Sequence, residues 1–151
     1  MIIELSGATF ADATDIFVWR NDPQNRRFSI NPKEISWDDH RQWFAGVLAD
    51  RSRHLLIARE KGVRVGVLRF DLEDKVAEIS IYVAPGLTGR GYGTAILKAG
   101  IEWAQANLNV VCLAAKVLVE NEASVRLFKK AKFSVTKKTD GFLLFNKEMR
   151  R

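Results

Sequence analysis

Four glycines fall between Gly86 and Gly93, in the stretch Gly86-Leu87-Thr88-Gly89-Arg90-Gly91-Tyr92-Gly93-Thr94. Glycine lets backbone approach a ligand closely, and the first turn of a helix carries N–H groups without intrahelical partners. Where such a turn opens a helix, those amides and the helix dipole make an anion site suited to a diphosphate. Arg90 would add a charge-assisted contact there. A plain flexible turn accounts for the same residues. Two phosphate-loop patterns fail on detail. A Walker loop needs a lysine and then a serine or threonine after its last glycine, whereas Gly93 is followed by Thr94 and Ala95. A G-x-G-x-x-G fingerprint starting at Gly89 would need its third glycine where Thr94 stands, and it should open a βαβ unit, whereas this turn follows a run of strands.

The segment before the turn, Val76–Ala84, alternates as a strand. Ile79, Ile81 and Val83 point one way, while Glu78, Ser80 and Tyr82 point the other. A carboxylate and a phenol on one face could share a site; a surface carboxylate paired with a cation reads the same way. Cys112 lies within Val110-Val111-Cys112-Leu113 and reads as a core thiol. His54 begins a strand and reads as structural. No spacing of His, Cys, Asp and Glu suggests a metal site, so none is expected.

The elements that must position these residues follow from periodicity and punctuation. Ile2–Leu5 reads as a first strand and Asp12–Arg20 as a helix, stopped at Asn21-Asp22-Pro23 because the residue before proline is pushed out of helical geometry. Ser36 reads as the N-cap of a helix from Trp37 to about Ala49, with Asp38 and Asp39 suited to its positive end. His54–Arg59, Val63–Asp71 and Val76–Ala84 follow as strands, with turns at Lys61-Gly62 and Glu73-Asp74-Lys75. After the glycine turn come a helix over about 91–107, a buried strand over Val110–Val117, a helix from Asn121 to Lys132, and closing strands at Phe133–Val135 and Phe142–Phe145. This order predicts a mixed α/β or α+β sheet domain.

With 151 residues, 47% hydrophobic and 28% charged, the chain is a globular domain of ordinary size, and disorder and fibrous folds are excluded. One cysteine permits no internal disulfide and fits a reducing cytoplasm. The N-terminus lacks signal-peptide order, and no apolar run suits a membrane span. The net charge of +6 is unevenly placed: residues 1–75 carry 12 basic and 12 acidic side chains, residues 76–151 carry 12 and 6. A polyanion docked on the second half, either nucleic acid or a phosphate-rich cofactor, would explain that split, as would a solvated basic face.

The strand Ala77–Pro85 and the turn Gly89–Thr94 resemble the acetyl-CoA motif of the GNAT superfamily of N-acetyltransferases. That motif is usually written Q/R-x-x-G-x-G/A and falls here on Thr88–Gly93, with threonine in the first position. A second stretch, Asn121 to Phe133, resembles the family's N-x-x-S/A-x-x-L-Y/F-x-x-x-G-F pattern, with Lys132 in place of the glycine. The resemblance runs from Ile2 to about Lys147 and implies one N-acetyltransferase domain over residues 1–151. It implies a mixed sheet of six to seven strands with a splayed parallel pair, flanked by about four helices. On this sequence the splayed strands would be Glu78–Ala84 and Val110–Val117.

Acetyl-CoA is the acetyl donor that the resemblance implies, with no metal. Backbone groups near Ile81, Tyr82 and Val83 would hold the pantetheine arm, amides from Gly89, Arg90, Gly91, Tyr92, Gly93 and Thr94 the diphosphate, and the Asn121 side chain the arm again. Ser124 and Phe128 belong to the same cofactor-binding stretch. Glu78 matches the general base of the histone-acetyltransferase branch and would act through water. Many members carry a tyrosine proton donor where this chain has Phe128, whose ring cannot donate; Tyr82, Ser124 or water would substitute.

A run like Trp19-Arg20-Asn21, followed later by a histidine and tryptophan like His40 and Trp43, is similar to GNAT enzymes that acetylate nucleotide-linked amino sugars, and less closely to ribosomal-protein N-terminal acetyltransferases. Trp19, Arg20, Asn21 and His40 would then bind the acceptor. Read plainly, Asn21 caps a helix end and His40 sits at the surface. The implied partner is a small-molecule amine, with acetyl transferred by direct attack in a ternary complex. The alternatives are a protein N-terminus as acceptor and a CoA-binding regulatory domain without turnover. Neither nucleic acid nor membrane is an expected partner, and the chain is expected as a monomer or homodimer.

Overall fold

The computed structural model describes residues 1–29 and 31–150. A short strand, β1 (Glu4–Gly7), leads through a 3-10 turn at Phe10–Asp12 into α1 (Ala13–Asn21), α2 (Pro23–Arg27) and α3 (Trp37–Ala49). The meander β2 (Arg53–Glu60), β3 (Val63–Glu73) and β4 (Val76–Val83) follows, then α4 (Tyr92–Asn107), β5 (Cys112–Leu118), α5 (Glu122–Lys130), β6 (Ser134–Lys138) and β7 (Phe142–Glu148). The strands form one seven-stranded mixed sheet in the order β1-β2-β3-β4-β5-β7-β6. All neighbours are antiparallel except β4 and β5. The expected mixed sheet with one parallel pair is therefore present, flanked among the described residues by five α-helices rather than about four.

The extra helix corrects the sequence expectation at Asn21-Asp22-Pro23. Proline does stop α1, but it also starts α2, because proline at a first helical position forfeits only an N–H that has no intrahelical partner. Asp22 caps the new helix by accepting from the Gln24 N–H at 3.1 Å. Ser36 caps α3 as expected, its Oγ accepting from the Asp39 N–H at 3.1 Å. The Lys61-Gly62 turn joins β2 to β3 with positive φ at both residues, the twist-matched hairpin geometry.

The sheet divides the core into two layers. Leu68 and Phe70 of β3, Ala77 and Ile79 of β4, and Leu113 of β5 pack against Ile96, Leu97 and Ala104 of α4. At Gly100 a Cβ would stand 3.1 Å from the Leu68 side chain, so the missing side chain lets α4 lie close to the strands. On the opposite face Leu55, Ile57 and Val67 pack against Ala13, Ile16 and Trp19 of α1 and Phe44 and Val47 of α3. Asp12, 2% exposed, ties these helices to the sheet. Its carboxylate accepts from Arg64 Nε at 2.7 Å, from Arg59 Nη2 at 3.2 Å and from the Thr9 N–H at 2.8 Å.

Candidate functional site

Parallel pairing of β4 with β5 covers only Val76–Glu78 against Cys112–Ala114. Beyond Glu78 and Ala114 the two strands run on without pairing, to Val83 and Leu118. Backbone N–H and C=O groups need partners, so two unpaired facing strands leave polar groups for a ligand. A cleft of about 610 Å³ fills the opening, lined by Ile79–Val83 on one side and Ala115–Leu118 on the other. The expected splay is thus present, with its closed end at Glu78.

The glycine turn closes one end of this cleft. Gly91 is the N-cap of α4 in the left-handed region, φ 85°, and Gly89 has φ 77°. Tyr92, Gly93 and Thr94 form the first helical turn, so their N–H groups lack intrahelical acceptors. Nothing lies within 4 Å of where a Cβ would stand on Gly89 or Gly91, so bare backbone faces open space. Gly89, Gly91, Gly93 and Thr94 line the cleft; Arg90 is exposed outside its lining. The Tyr92 side chain turns away and donates to Glu60 Oε1 at 3.4 Å.

The start of α5 forms the adjoining wall. Asn121 caps that helix, its Oδ1 accepting from the Ser124 N–H at 3.2 Å, which leaves the Nδ2 donors for the cleft. Asn121, Ser124 and Phe128 all line the cavity. Phe128 is 5% exposed and packs edge-on against Phe133 and stacked on Phe145. Lys116, Arg126 and Lys130 are the charged side chains of the lining, and no carboxylate is among the described lining residues. Those residues fit a diphosphate-bearing cofactor. Among the described residues no group of three or more His, Cys, Asp and Glu gathers to hold a metal ion, and no helix is long and apolar enough to cross a membrane.

At the other end the cleft reaches the α1–α3 side of the sheet. Ser80 and Tyr82 line it, together with Asn25 and Ser29 from α2 and the segment after it. Ser29 Oγ donates to the Asn25 carbonyl at 2.8 Å, so its contact of 3.3 Å with Tyr82 has the phenol as donor. Glu78 shares this sheet face but is exposed, lies where β4 is still paired, and stands opposite Asp71 of β3. It is not part of the cleft lining.

The four residues expected to bind acceptor fall in different places. Trp19 is 7% exposed and belongs to the helical core layer. Asn21 is neither cap nor cleft wall: its Nδ2 donates to the Ile35 carbonyl and its Oδ1 accepts from the Ile35 N–H, both at 2.7 Å, pinning the segment before α3 onto α1. His40 is fully buried, which corrects the surface reading. Its ring sits among Phe17, Trp37, Trp43 and Phe44. Arg20 Nη1 lies 3.0 Å from His40 Nδ1, and arginine only donates, so Nδ1 accepts and Nε2–H donates to the Ala13 carbonyl at 2.9 Å. Burial, with the nearby Arg20 charge, holds the imidazole below its ordinary pKa although the Ala13 carbonyl opposes this. His40 is therefore a neutral post behind Arg20.

Two residues beside Arg20, Arg53 and Arg69, escaped sequence reasoning. The Arg20 Cζ lies 4.0 Å from the Trp43 ring centroid, and the Cζ atoms of Arg69 and Arg53 lie 5.5 and 6.0 Å from it. Asp71 accepts from Arg53 Nε at 2.9 Å and from Arg69 Nε at 3.0 Å. The available signal was strand alternation: Arg53 shares a face with Leu55 and Ile57, and Arg69 with Val67, so both are charges in line with apolar, helix-covered positions.

Residues 3–134 match the family model described as an acetyltransferase (GNAT) domain. The Bacillus subtilis protein named Putative phosphinothricin acetyltransferase YwnH is 25% identical over 126 residues, covering 79% of this chain and 76% of that protein. Spermidine N-acetyltransferase from Vibrio cholerae, solved with CoA and spermine, superposes with a TM-score of 0.88 at 15% identity, over 97% of this chain and 95% of that one. Campylobacter jejuni N-acetyltransferase PseH, solved with acetyl coenzyme A, gives 0.80 at 21% identity, over 99% and 100%. At those identities the two structures bear on the fold alone. The match over residues 3–134 makes this chain a member of the GNAT family of N-acetyltransferases, whose acetyl donor is acetyl-CoA.

Proposed function

We propose that residues 1–151 form one N-acetyltransferase domain that acetylates the primary amine of a small molecule by direct attack in a ternary complex, with a nucleotide-linked amino sugar as the acceptor class. The observation that carries this reading is the cleft itself. It runs from a bare amide turn, with no carboxylate among the described lining residues, to a polar wall of Ser80, Tyr82 and Ser29 on the opposite sheet face. A phosphate-rich donor and an amine can thus enter from different sides and meet between the splayed strands.

Bound acetyl-CoA supplies an acetyl group activated as a thioester. The N–H groups of Tyr92, Gly93 and Thr94 hold the diphosphate, and Arg126 and Lys130 add charge at the same wall. Backbone groups of Ile81 and Val83 on the edge of β4 away from β3, either side of Tyr82, orient the pantetheine arm with Asn121 Nδ2. Tyr82 gives up its bond to Ser29 and donates that proton to the departing thiolate. Glu78, exposed and on the face of Ser80 and Tyr82, takes the amine proton through water. Arg20 positions the acceptor and His40 positions Arg20.

Thiol release from acetyl-CoA across a panel of amino sugars, nucleotide-linked amino sugars, polyamines and N-terminal peptides tests this reading. Acceptor-dependent release led by amino-sugar nucleotides is expected. Release led by N-terminal peptides would overturn the acceptor class. CoA binding without turnover of any amine would overturn catalysis.

A further inference from the structure

Arg20, Arg53 and Arg69 gather three guanidiniums around the Trp43 ring, at 4.0, 6.0 and 5.5 Å from its centroid. One carboxylate, Asp71, is bonded within this group, and it is shared by Arg53 and Arg69. Glu78 stands opposite Asp71 in register but is exposed. Counting both carboxylates still leaves a cation in excess. The excess falls on Arg20, whose hydrogen-bond partner is a neutral imidazole and which has no carboxylate partner among the described residues. Burial holds the Arg20 guanidinium below the usual arginine value; Tyr82 opposes this, and Arg69 and Arg53 add to the depression.

This charge lies beside the cleft. Arg69 is directly across from Ser80 in the β3–β4 register, and Ser80 lines the cavity with Tyr82. Arg53 and Arg69 are about a quarter exposed, at 28% and 24%, so an incoming ligand can reach them. Three cations around one indole repel each other, and a partly desolvated guanidinium without a counter-ion is costly. A planar guanidinium is suited to bidentate pairing with a carboxylate or a phosphate.

We propose that the acceptor amine carries an anionic group, a carboxylate or a phosphate, and that Arg20, Arg69 and Arg53 on Trp43 form its subsite. This rests on the N-acetyltransferase reading above and narrows its acceptor. It places the anion on the α1–α3 side of the sheet, away from the amides at the start of α4. Polyamines, which bring only positive charge, would be rejected.

The test uses matched acceptors with the CoA-saturated protein: an amino acid against its amide, and glucosamine 6-phosphate against glucosamine. The anionic member of at least one pair should be favoured about tenfold or more in kcat/KM, chiefly through KM. Which pair shows the larger ratio identifies carboxylate or phosphate. Arg69→Gln and Arg20→Gln should each collapse that ratio, and Arg20→Lys should restore part of the Arg20 loss. Equal rates within both pairs, or preference for polyamines, would overturn the subsite. If no amine is acetylated, the N-acetyltransferase reading fails separately. Thermal shifts of the CoA-saturated protein with glucosamine 6-phosphate and with the amino acid then decide the subsite: a shift lost in Arg69→Gln supports it, and none in wild type overturns it.

Discussion

Arg20 Nη1 donates to His40 Nδ1 across 3.0 Å, and this bond requires a neutral imidazole. Protonation would remove the acceptor and place two cations in contact. The folded-state pKa of His40 is therefore depressed, and between that value and about 6.5 the unfolded chain binds a proton that the folded chain refuses. The stability tied to His40 is fully present above about 6.5 and is lost as pH falls below it. His40→Gln, which keeps an acceptor for Arg20, should be less stable at pH 7 by about 1–3 kcal/mol but flatter in its pH dependence between 7 and 5. Urea denaturation across that range reads both. An equal slope in wild type and variant would remove His40 as the titrating group.

Lys132 stands at φ 71°, just past the end of α5. The Phe133 N–H donates to the Phe128 carbonyl and the Lys132 N–H to the Lys129 carbonyl, both at 3.0 Å, and the Phe128 and Phe133 rings meet at 5.0 Å. This is a Schellman motif with a side chain at the position glycine favours. Lys132→Gly should raise stability by about 0.5–1 kcal/mol, the relief of left-handed strain being partly offset by unfolded-chain entropy. A lower denaturation midpoint would contradict this account of the α5 terminus.

Gly91 and Gly93 should respond differently to alanine. Gly91 is held at φ 85°, where an L side chain is strained, so Gly91→Ala should cost about 1 kcal/mol of stability and weaken CoA binding by distorting the amide turn. At Gly93 a Cβ would meet the nearest atom, Leu127 Cδ2, at 3.6 Å, an ordinary contact, so Gly93→Ala should fold and bind nearly as wild type. Calorimetric titration with CoA separates the two; equal losses would show that the turn does not act through Gly91's conformation.

Glu78→Gln and Tyr82→Phe probe the two proton transfers. Glu78→Gln should lower the rate strongly at neutral pH and less at high pH, where more of the amine is already neutral. Tyr82→Phe should lower kcat by about 100-fold or more with CoA affinity retained, because the hydroxyl faces Ser29 while the backbone meets the donor. An unchanged pH–rate profile for the first, or an unchanged kcat for the second, would take the role from that residue.

The donor side of the site was legible in the sequence because local rules govern it. Left-handed turns select glycine at 89 and 91, β4 is read from its alternation, and β5 from its nearly continuous apolar run. The acceptor side depends on how α1 and α3 lie over the sheet, which brings together Arg20, Trp43, Arg53 and Arg69 from four elements. His40 did carry a signal: with Phe44 and Val47 it falls at i, i+4 and i+7, the spacing of α3's buried stripe. Asn21 could not be placed from its neighbours, because its partner Ile35 is 14 residues away, beyond α2. The order β5-β7-β6 was likewise hidden, since pairing across that hairpin does not say which strand lies beside β5.

Direct transfer between two substrates held in one cleft is the core of the account. Cys112, the only thiol, is half-buried on β5 at the closed end of the strand pair, with Sγ donating to the Leu113 carbonyl at 3.4 Å, and so stands apart from the splayed region. Initial rates measured while acetyl-CoA and the acceptor are varied together test this most directly. The account predicts double-reciprocal lines that converge, as a ternary complex requires. Parallel lines with an isolable acetylated form of the protein would contradict it.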